Sequence, residues 1–304
     1  MAFQVSPGVQ VLEVDATSVI PAVSTSIGGF AGSFKWGPVD QVISVSSEKK
    51  LAEVFGTPDT NTAKYFLTAA SFLKYGNALK VVRVESGHDN ATANGAGLLI
   101  KNDTHYVDNS YDTGAGSVGN WVAKYPGSLG NSLKVLIATE GVTDWATITY
   151  YGDNKWSDLF DAVPTHSEYA EDLGKPSIGD ELHVIVLDED GLFTGVVGTV
   201  LEKFSFMSQG SDAKKTDGTS NYYVDVVNAG SDYIRWMDHP STLTNAGSAI
   251  TGLSSIAGST TVIEDTLSGG TDDNIPLVGE IALGFDLLED AETVDVSLLF
   301  ACPD

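Results

Sequence analysis

The residues that most often carry enzyme or metal chemistry are scattered through this chain of 304 residues without a recognisable spacing. The five histidines are not paired at the intervals typical of metal ligands, and Cys302 is the only cysteine. No GxSxG motif positions a nucleophilic serine, and no GxxxxGK[ST] motif cradles a nucleotide phosphate. We therefore predict no catalytic residue, no metal ion and no cofactor.

One glycine motif has the letters of a dinucleotide fingerprint. Gly114, Gly116 and Gly119 form the run GAGSVG, which follows the polar stretch DNSYDT rather than a strand. Pro126 comes too soon afterwards for a helix of useful length. Because the fingerprint requires a strand before it and a helix after it, we interpret this run as a loop.

Clustered carboxylates are the other feature that could hold an ion. They occur at 188–190, and Asp272 and Asp273 could join Asp265. Carboxylate oxygens are the ligands that Ca²⁺ prefers, but neither group has the spacing of the twelve-residue EF-hand loop. The pattern favours solvated turns and leaves a Ca²⁺ site as the alternative.

The net charge limits the partners. The chain has 41 acidic and 16 basic residues, for a net charge of −25. Phosphate backbones are bound by Lys and Arg, so we expect no nucleic-acid partner for the bulk surface. There is also no run of about 18 or more apolar residues, so we expect no direct insertion into a membrane.

Residues 1–23 resemble an extended arm rather than a helix or a signal peptide. Pro7 and Gly8 precede an alternation of valines with polar residues, and Pro21 ends it. A strand at a free terminus needs partners for its backbone groups, and a neighbouring subunit can supply them by strand addition. We predict that the intersubunit strand includes Gln4, Val5, Val9, Val11, Leu12 and Val14.

The remaining chain divides into a layer and an insertion. Residues 24–87 follow the order strand, strand, helix, helix, strand, which is typical of an α/β layer. Residues 88–266 are predicted to form an inserted β-rich protruding domain, with loops over 88–120. Its expected strands are 132–139, 145–151, 181–190, 193–206 and 220–237, and Asp190 with Gly191 predicts a hairpin turn. In residues 24–87 the aromatic side chains are predicted to pack in the core: Trp36, Phe55, Tyr65, Phe66, Phe72 and Tyr75.

The layer is predicted to resume at 267–304, with a helix from about Val278 and a buried strand at 294–304. On that helix Val278, Ile281, Ala282, Phe285 and Leu288 share one face. The fold class is thus an α/β core layer, incomplete at its C-terminus, with an inserted antiparallel β-rich domain and an extended N-terminal arm. Because a crossover helix should follow the last strand, we expect the chain to be the N-terminal part of a longer protein.

Several phrases, in this order, resemble one family. They are SPGV at 6–9, GGFAGSFKWGPVDQ at 28–41, FGTPDTNTAKYFLTAASFLKYGNALKVVRV at 55–84, AKYPGSLGNSLKVLI at 123–137, SNYYVDVVNAGSDYI at 220–234 and LSGGTDD at 267–273. Together they resemble the N-terminal part of a contractile, myovirus-type phage tail sheath protein. The family continues well beyond the LLF-type strand at which this chain stops.

The resemblance implies a structural subunit with no enzymatic activity. Such subunits polymerise in rings around an inner tube and contract to drive the tube through the host envelope. Their implied partners are other copies of the same chain in a helical homo-oligomer, the inner tail tube protein, and the baseplate and tail terminator proteins. The implied location is the virion tail, and the host cytoplasm during assembly. The alternative from the residues alone is an acidic, β-rich module that binds carbohydrate or Ca²⁺.

Overall fold

The computed structural model describes residues 26–84, 87–114, 117–256, 258–272, 275–290 and 292–302. These residues form a mixed α/β structure with several sheets. The first layer contains β1 (Gly28–Gly32), β2 (Val42–Val45), α1 (Glu48–Phe55), α2 (Ala63–Leu73) and β3 (Leu79–Arg83). The elements that follow are α3 (Asp103–Asp108), β4 (Trp121–Ala123), β5 (Leu133–Thr139), β6 (Thr149–Tyr151), β7 (Asn154–Lys155), α4 (Glu168–Asp172), β8 (Glu181–Asp188), β9 (Thr199–Ser208), α5 (Tyr223–Gly230), β10 (Ile234–Trp236), β11 (Ile263–Thr266), α6 (Val278–Asp286) and β12 (Leu298–Leu299).

The first sheet joins segments from both ends of the described chain. Its strand order is β12-β1-β3-β2, with β12 and β3 parallel to β1 and β2 antiparallel to β3. Gly28 pairs with Leu298 on one side and with Leu79 on the other. The helices α1 and α2 cover one face, and α6 covers the opposite face. We call this three-layer unit the core layer.

Alternation along β1 determines which helix lies on which face. Phe30 faces α1 and α2, where it packs with Tyr65 and Phe66, whereas Ala31 faces α6. The glycines of β1 permit close approach, since a Cβ on Gly28 would come within 2.7 Å of the Phe72 ring. β1 therefore supports a helix on each face of the sheet, because its successive side chains point to opposite faces.

The insertion is built around a second sheet of order β11-β5-β8-β9, in which all neighbours are antiparallel. Its central strands β5 and β8 are almost entirely buried. One face packs against α5 and a cluster containing Trp121 and Trp236, and the other packs against Trp156 and Phe160. Two smaller pairs, β4 with β10 and β6 with β7, complete the strands of this region.

Several sequence predictions are confirmed. β5 and β8 lie where the apolar runs predicted strands, and β8 and β9 form the predicted hairpin around Gly191. The helix predicted from Val278 is α6. Trp36, Phe55, Tyr65 and Phe66 are core residues, as expected. The strand expected at 145–151 is confirmed in part, because β6 is confined to its last three residues.

Other predictions are wrong. The strand expected at 220–237 is helix α5 followed by the short β10, because Tyr223, Val224 and Val227 are buried at helical spacing. The buried strand expected at 294–304 is the two-residue β12, which is exposed at the sheet edge. Tyr75, expected in the core, is 89% exposed. On α6 the predicted apolar face is confirmed only in part: Leu288 is buried and Phe285 packs against the sheet, whereas Val278 is exposed.

Candidate assembly surfaces

The arm predicted from the sequence lies outside the described residues. Gln4, Val5, Val9, Val11, Leu12 and Val14 all precede residue 26, where the description begins. Ile27, just beyond that point, is held between two strands of the core layer. Its amide donates to Ser297 Oγ at 2.9 Å, and its carbonyl accepts from the amide of Leu298 at 3.2 Å. The chain therefore enters the core layer beside β12.

Both edges of the first sheet are open within the described chain. β2 forms one edge and β12 the other, and no other described strand pairs with either. A cavity of about 240 Å³ lies at the end of this sheet where β3 begins and β2 ends, lined by Ile27, Val45, Leu79 and Lys80. Unpaired edges of this kind can accept a further strand.

A larger cleft separates α1 from the insertion. Its volume is about 460 Å³, and its walls carry Trp36, Tyr125, Phe193 and Tyr233. The Trp36 ring meets those of Tyr125 and Phe193 edge-on, at centroid distances of 5.5 and 5.1 Å. Trp36 belongs to the segment between β1 and β2, so this aromatic group connects the core layer to the insertion.

Arg83 is a second, buried connection between the two regions. Its guanidinium is fully buried and donates from Nη1 to the carbonyl of Gly37 at 2.8 Å, while Nε and Nη2 have no hydrogen-bond partner among the residues that the structure describes. Burial lowers the pKa of Arg83 to about 10, and the charge of Asp272 opposes that shift. Asp272 is itself fixed by the Ser128 amide, which donates to it at 2.8 Å.

The helices on the two faces of the core layer present exposed apolar residues. On α6, Val278 is 84% exposed and Leu283 is 66% exposed. On α2, Leu67 is 56% exposed, and Tyr75 lies just beyond its end. Sequence reasoning did not identify either surface, and it placed Val278 on the buried face of its helix. Large exposed apolar groups that lie together mark interaction sites more often than isolated ones do.

The two faces also differ in charge. Residues 26–84 carry seven basic side chains and four acidic ones, although the whole chain has a net charge of −25. Residues 275–302 carry six acidic side chains and no basic one. Arg83 is buried and the lysines of α1 pair with Glu53, but α2 carries Lys64 and Lys74 and no acidic side chain. Because α6 covers the opposite face of the sheet, the surface of α2 is basic and that of α6 is acidic.

The carboxylates considered as Ca²⁺ ligands bind protein donors instead. Asp188 is fully buried and accepts hydrogen bonds from Ser132 Oγ at 2.6 Å, from the amides of Phe193 and Thr194, and from Thr194 Oγ1. It fixes the β8–β9 connection from inside, so the description of Asp188 as part of a solvated turn is wrong. Across the described residues, no group of three or more His, Cys, Asp or Glu side chains could hold a metal ion. No helix in the described part of the chain has the length and apolar character needed to cross a bilayer.

Comparison with known proteins connects the core layer to one family. Residues 25–84 match the family model described as the tail sheath protein Gp18 domain III N-terminal region. The tail sheath protein of Enterobacteria phage T4 is 44% identical over 78 residues, which are 26% of this chain and 12% of the T4 protein. The tail sheath protein of Salmonella phage ViI is 28% identical over 275 residues, which are 88% of this chain.

The chain spans 38% of the length of the ViI sheath protein. Among solved structures, a sheath tail protein from Listeria innocua covers 89% of this chain with 39% of its own length, at 16% identity and a TM-score of 0.42. One from Desulfitobacterium hafniense covers 96% of this chain with 45% of its own length, at 13% identity and a TM-score of 0.43.

Proposed function

Because this chain is a relative of the tail sheath proteins of myoviruses, we propose that it is a structural subunit of a contractile tail sheath. The subunits polymerise in rings around an inner tube, and contraction drives the tube through the host envelope. The observation that carries the proposal is the match of residues 25–84, the segment that forms most of the core layer, to a sheath-specific domain. The function is structural rather than enzymatic.

For the domain organisation, we propose the division that the sequence predicts. The arm is residues 1–23, and the core domain comprises 24–87 together with 267–304. The protruding domain is 88–266. The pairing of β12 with β1 supports this division, because it brings the end of the described chain back to its beginning across the whole insertion.

We assign strand addition to the arm, with Gln4 to Val14 as the pairing segment. The open β2 and β12 edges support this role, since each presents backbone groups that another strand can pair with. In this assembly the partners are other copies of the chain, the inner tail tube protein, and the baseplate and tail terminator proteins.

The location follows from the function. The assembled protein belongs to the virion tail, and subunits assemble in the host cytoplasm. Asp188 does not support the alternative of a Ca²⁺-binding module, because its carboxylate oxygens already accept hydrogen bonds from protein donors.

Electron microscopy of the full-length gene product tests the proposal. Wild-type protein should form striated, hollow helical tubes, whereas a variant lacking residues 1–20 should remain folded and dispersed. Val11→Pro should also prevent tube formation, because proline cannot donate a backbone hydrogen bond. Val11→Thr is the matched control, since it keeps the amide and the β-branched shape. Normal tubes from the 1–20 deletion would show that the arm has no role in assembly, and dispersed wild-type particles would contradict the sheath function.

A further inference from the structure

We propose that the exposed face of α6 in one copy of this chain docks onto the exposed face of α2 in a second copy. This inference rests on the proposed self-assembly and specifies a contact within it, separate from strand addition by the arms. The α6 face comprises Val278, Ala282, Leu283, Asp286 and Leu287. The α2 face comprises Lys64, Leu67, Ser71, Lys74 and Tyr75.

Each face is continuous along its helix. On α2, positions 64, 67, 71, 74 and 75 follow helical spacing, so they form a single exposed stripe on the side opposite Tyr65 and Phe66. On α6, positions 278, 282, 283, 286 and 287 cover the side opposite the buried Gly284. Each stripe combines large apolar side chains with charge of one sign.

The charges are complementary between the faces and form no ion pair within the described part of the chain. Lys64 and Lys74 are exposed, and neither forms an ion pair with any described residue. The same is true of Asp286 on α6 and of Glu289, which is exposed just beyond its end. Opposite charges around apolar centres guide association and select the register of the partner.

A second copy is the occupant that this arrangement fits. The chain as a whole is strongly acidic, with a net charge of −25, but its α2 face is basic. The acidic α6 face lies on the opposite side of the same sheet. Two different, complementary patches on opposite sides of one molecule make a head-to-tail contact. Such a contact does not close on itself in pairs and generates rings or helical assemblies. The contact uses the faces of the sheet, so the β2 and β12 edges stay available to the arms.

Charge reversal in the full-length protein tests the contact. Lys64→Glu with Lys74→Glu makes both faces acidic, and Asp286→Lys with Glu289→Lys makes both faces basic. We expect each double variant alone to lose tube formation at least tenfold, as measured by sedimentation and electron microscopy. An equal mixture should restore tubes, because every face then finds a complementary partner. Lys49→Glu with Lys50→Glu is the matched control: it makes the same change in net charge on α1, where Lys49 is 88% exposed, and should assemble normally.

Cross-linking provides a second readout that does not depend on charge. In a Cys302→Ser background, equal amounts of Ser71→Cys and Leu283→Cys proteins should give disulfide-linked dimers within tubes, whereas either protein alone should not. If wild-type tubes form and neither the charge reversals nor the cross-linking behaves as expected, something other than a second copy covers these faces and the inference is wrong. Dispersed wild-type protein would instead overturn the sheath function together with this contact.

Discussion

Gly284 of α6 lies so close to Val84, the residue after β3, that a Cβ on the glycine would come within 2.5 Å of the valine Cγ1. The same Cβ would lie 3.0 Å from the Cβ of Ala31 on β1. The absence of a side chain at this position thus allows the helix to rest directly on the sheet. It also determines which side of α6 is buried and which side is presented outward.

Gly284→Ala should destabilise the protein by about 1–3 kcal/mol, because the new methyl group must displace buried neighbours. Urea unfolding followed by circular dichroism measures the change. Gly279→Ala is the control on the same helix, since a Cβ there meets no atom within 4 Å. That substitution should stabilise the protein by up to about 1 kcal/mol through helix propensity. Equal effects at the two positions would contradict the close approach of α6 to the sheet.

Trp36→Ala should cost about 3–5 kcal/mol, the usual range for truncating a large buried aromatic side chain. Trp36 is 5% exposed and contacts Tyr125 and Phe193, which belong to the insertion. Thermal unfolding should then show the core layer and the insertion separating into two transitions. Tyr75→Ala, at a residue that is 89% exposed, should change stability by less than about 0.5 kcal/mol. A single, unshifted transition in Trp36→Ala would show that the aromatic group does not couple the two regions.

Asp188→Asn should destabilise the protein by about 2–4 kcal/mol. Asp188 Oδ2 accepts from the Phe193 and Thr194 amides at 3.0 and 2.8 Å, and Oδ1 accepts from Ser132 Oγ at 2.6 Å. In asparagine one of these two positions is an amide nitrogen, which cannot accept a hydrogen bond. Hydrogen bonds to a charged group contribute about 1.5–3 kcal/mol each. Asp190→Asn, at an exposed position in the same turn, is the control and should be nearly neutral. The melting temperature should be unchanged by added Ca²⁺, and a rise of several degrees would instead favour the Ca²⁺-binding alternative.

The buried His183 predicts that stability declines in mild acid. Its Nδ1 accepts the Phe206 amide at 3.0 Å and its Nε2 lies 3.0 Å from the Ala162 carbonyl, an arrangement that fits a neutral ring with the proton on Nε2. Burial lowers the pKa of His183, so the unfolded chain binds a proton at higher pH than the folded protein does. Stability should therefore fall as the pH drops below about 6.5, by at most about 1.4 kcal/mol per pH unit for this one proton.

The measurement is the unfolding free energy between pH 7 and pH 5. His183→Gln should be less stable at pH 7 but should show a smaller decline with acid than wild type. His166→Gln, at a side chain that is 32% exposed, serves as the comparison. An undiminished decline in His183→Gln would show that another group is responsible.

The elements predicted best from the sequence are those whose local residue pattern matches their burial in the structure. The runs of β5 and β8 are apolar, short and bounded by turns, and both are central, buried strands. Helix α5 was misread because tyrosine and valine favour strands, although Tyr223, Val224 and Val227 have helical spacing. β-Propensity reflects packing on a half-buried surface, so a helix that offers comparable packing overrides it.

The assembly surfaces were less accessible to prediction. Apolar spacing on α6 predicted a buried Val278, but Gly284 rotates the buried side away from it because close approach outweighs side-chain area there. The opposite charges of the two faces depend on which helix covers which side of the sheet, and that arrangement depends on pairing between distant segments. The burial of the charged Arg83 could not be predicted from its neighbours in the sequence, because it arises only where the core layer meets the insertion.

The pairing of β1 with β12 can form only after the whole insertion has been translated. Ile27 and Ser297 are 270 residues apart, so at about 5–20 residues per second a ribosome needs roughly 14–54 s after making the first before it delivers the second. The sheet of the insertion is formed from residues translated entirely within that interval. Each nascent chain can thus complete its protruding domain before β12, which pairs with β1, has been translated. The acidic face, carried by α6, is translated only after the whole insertion.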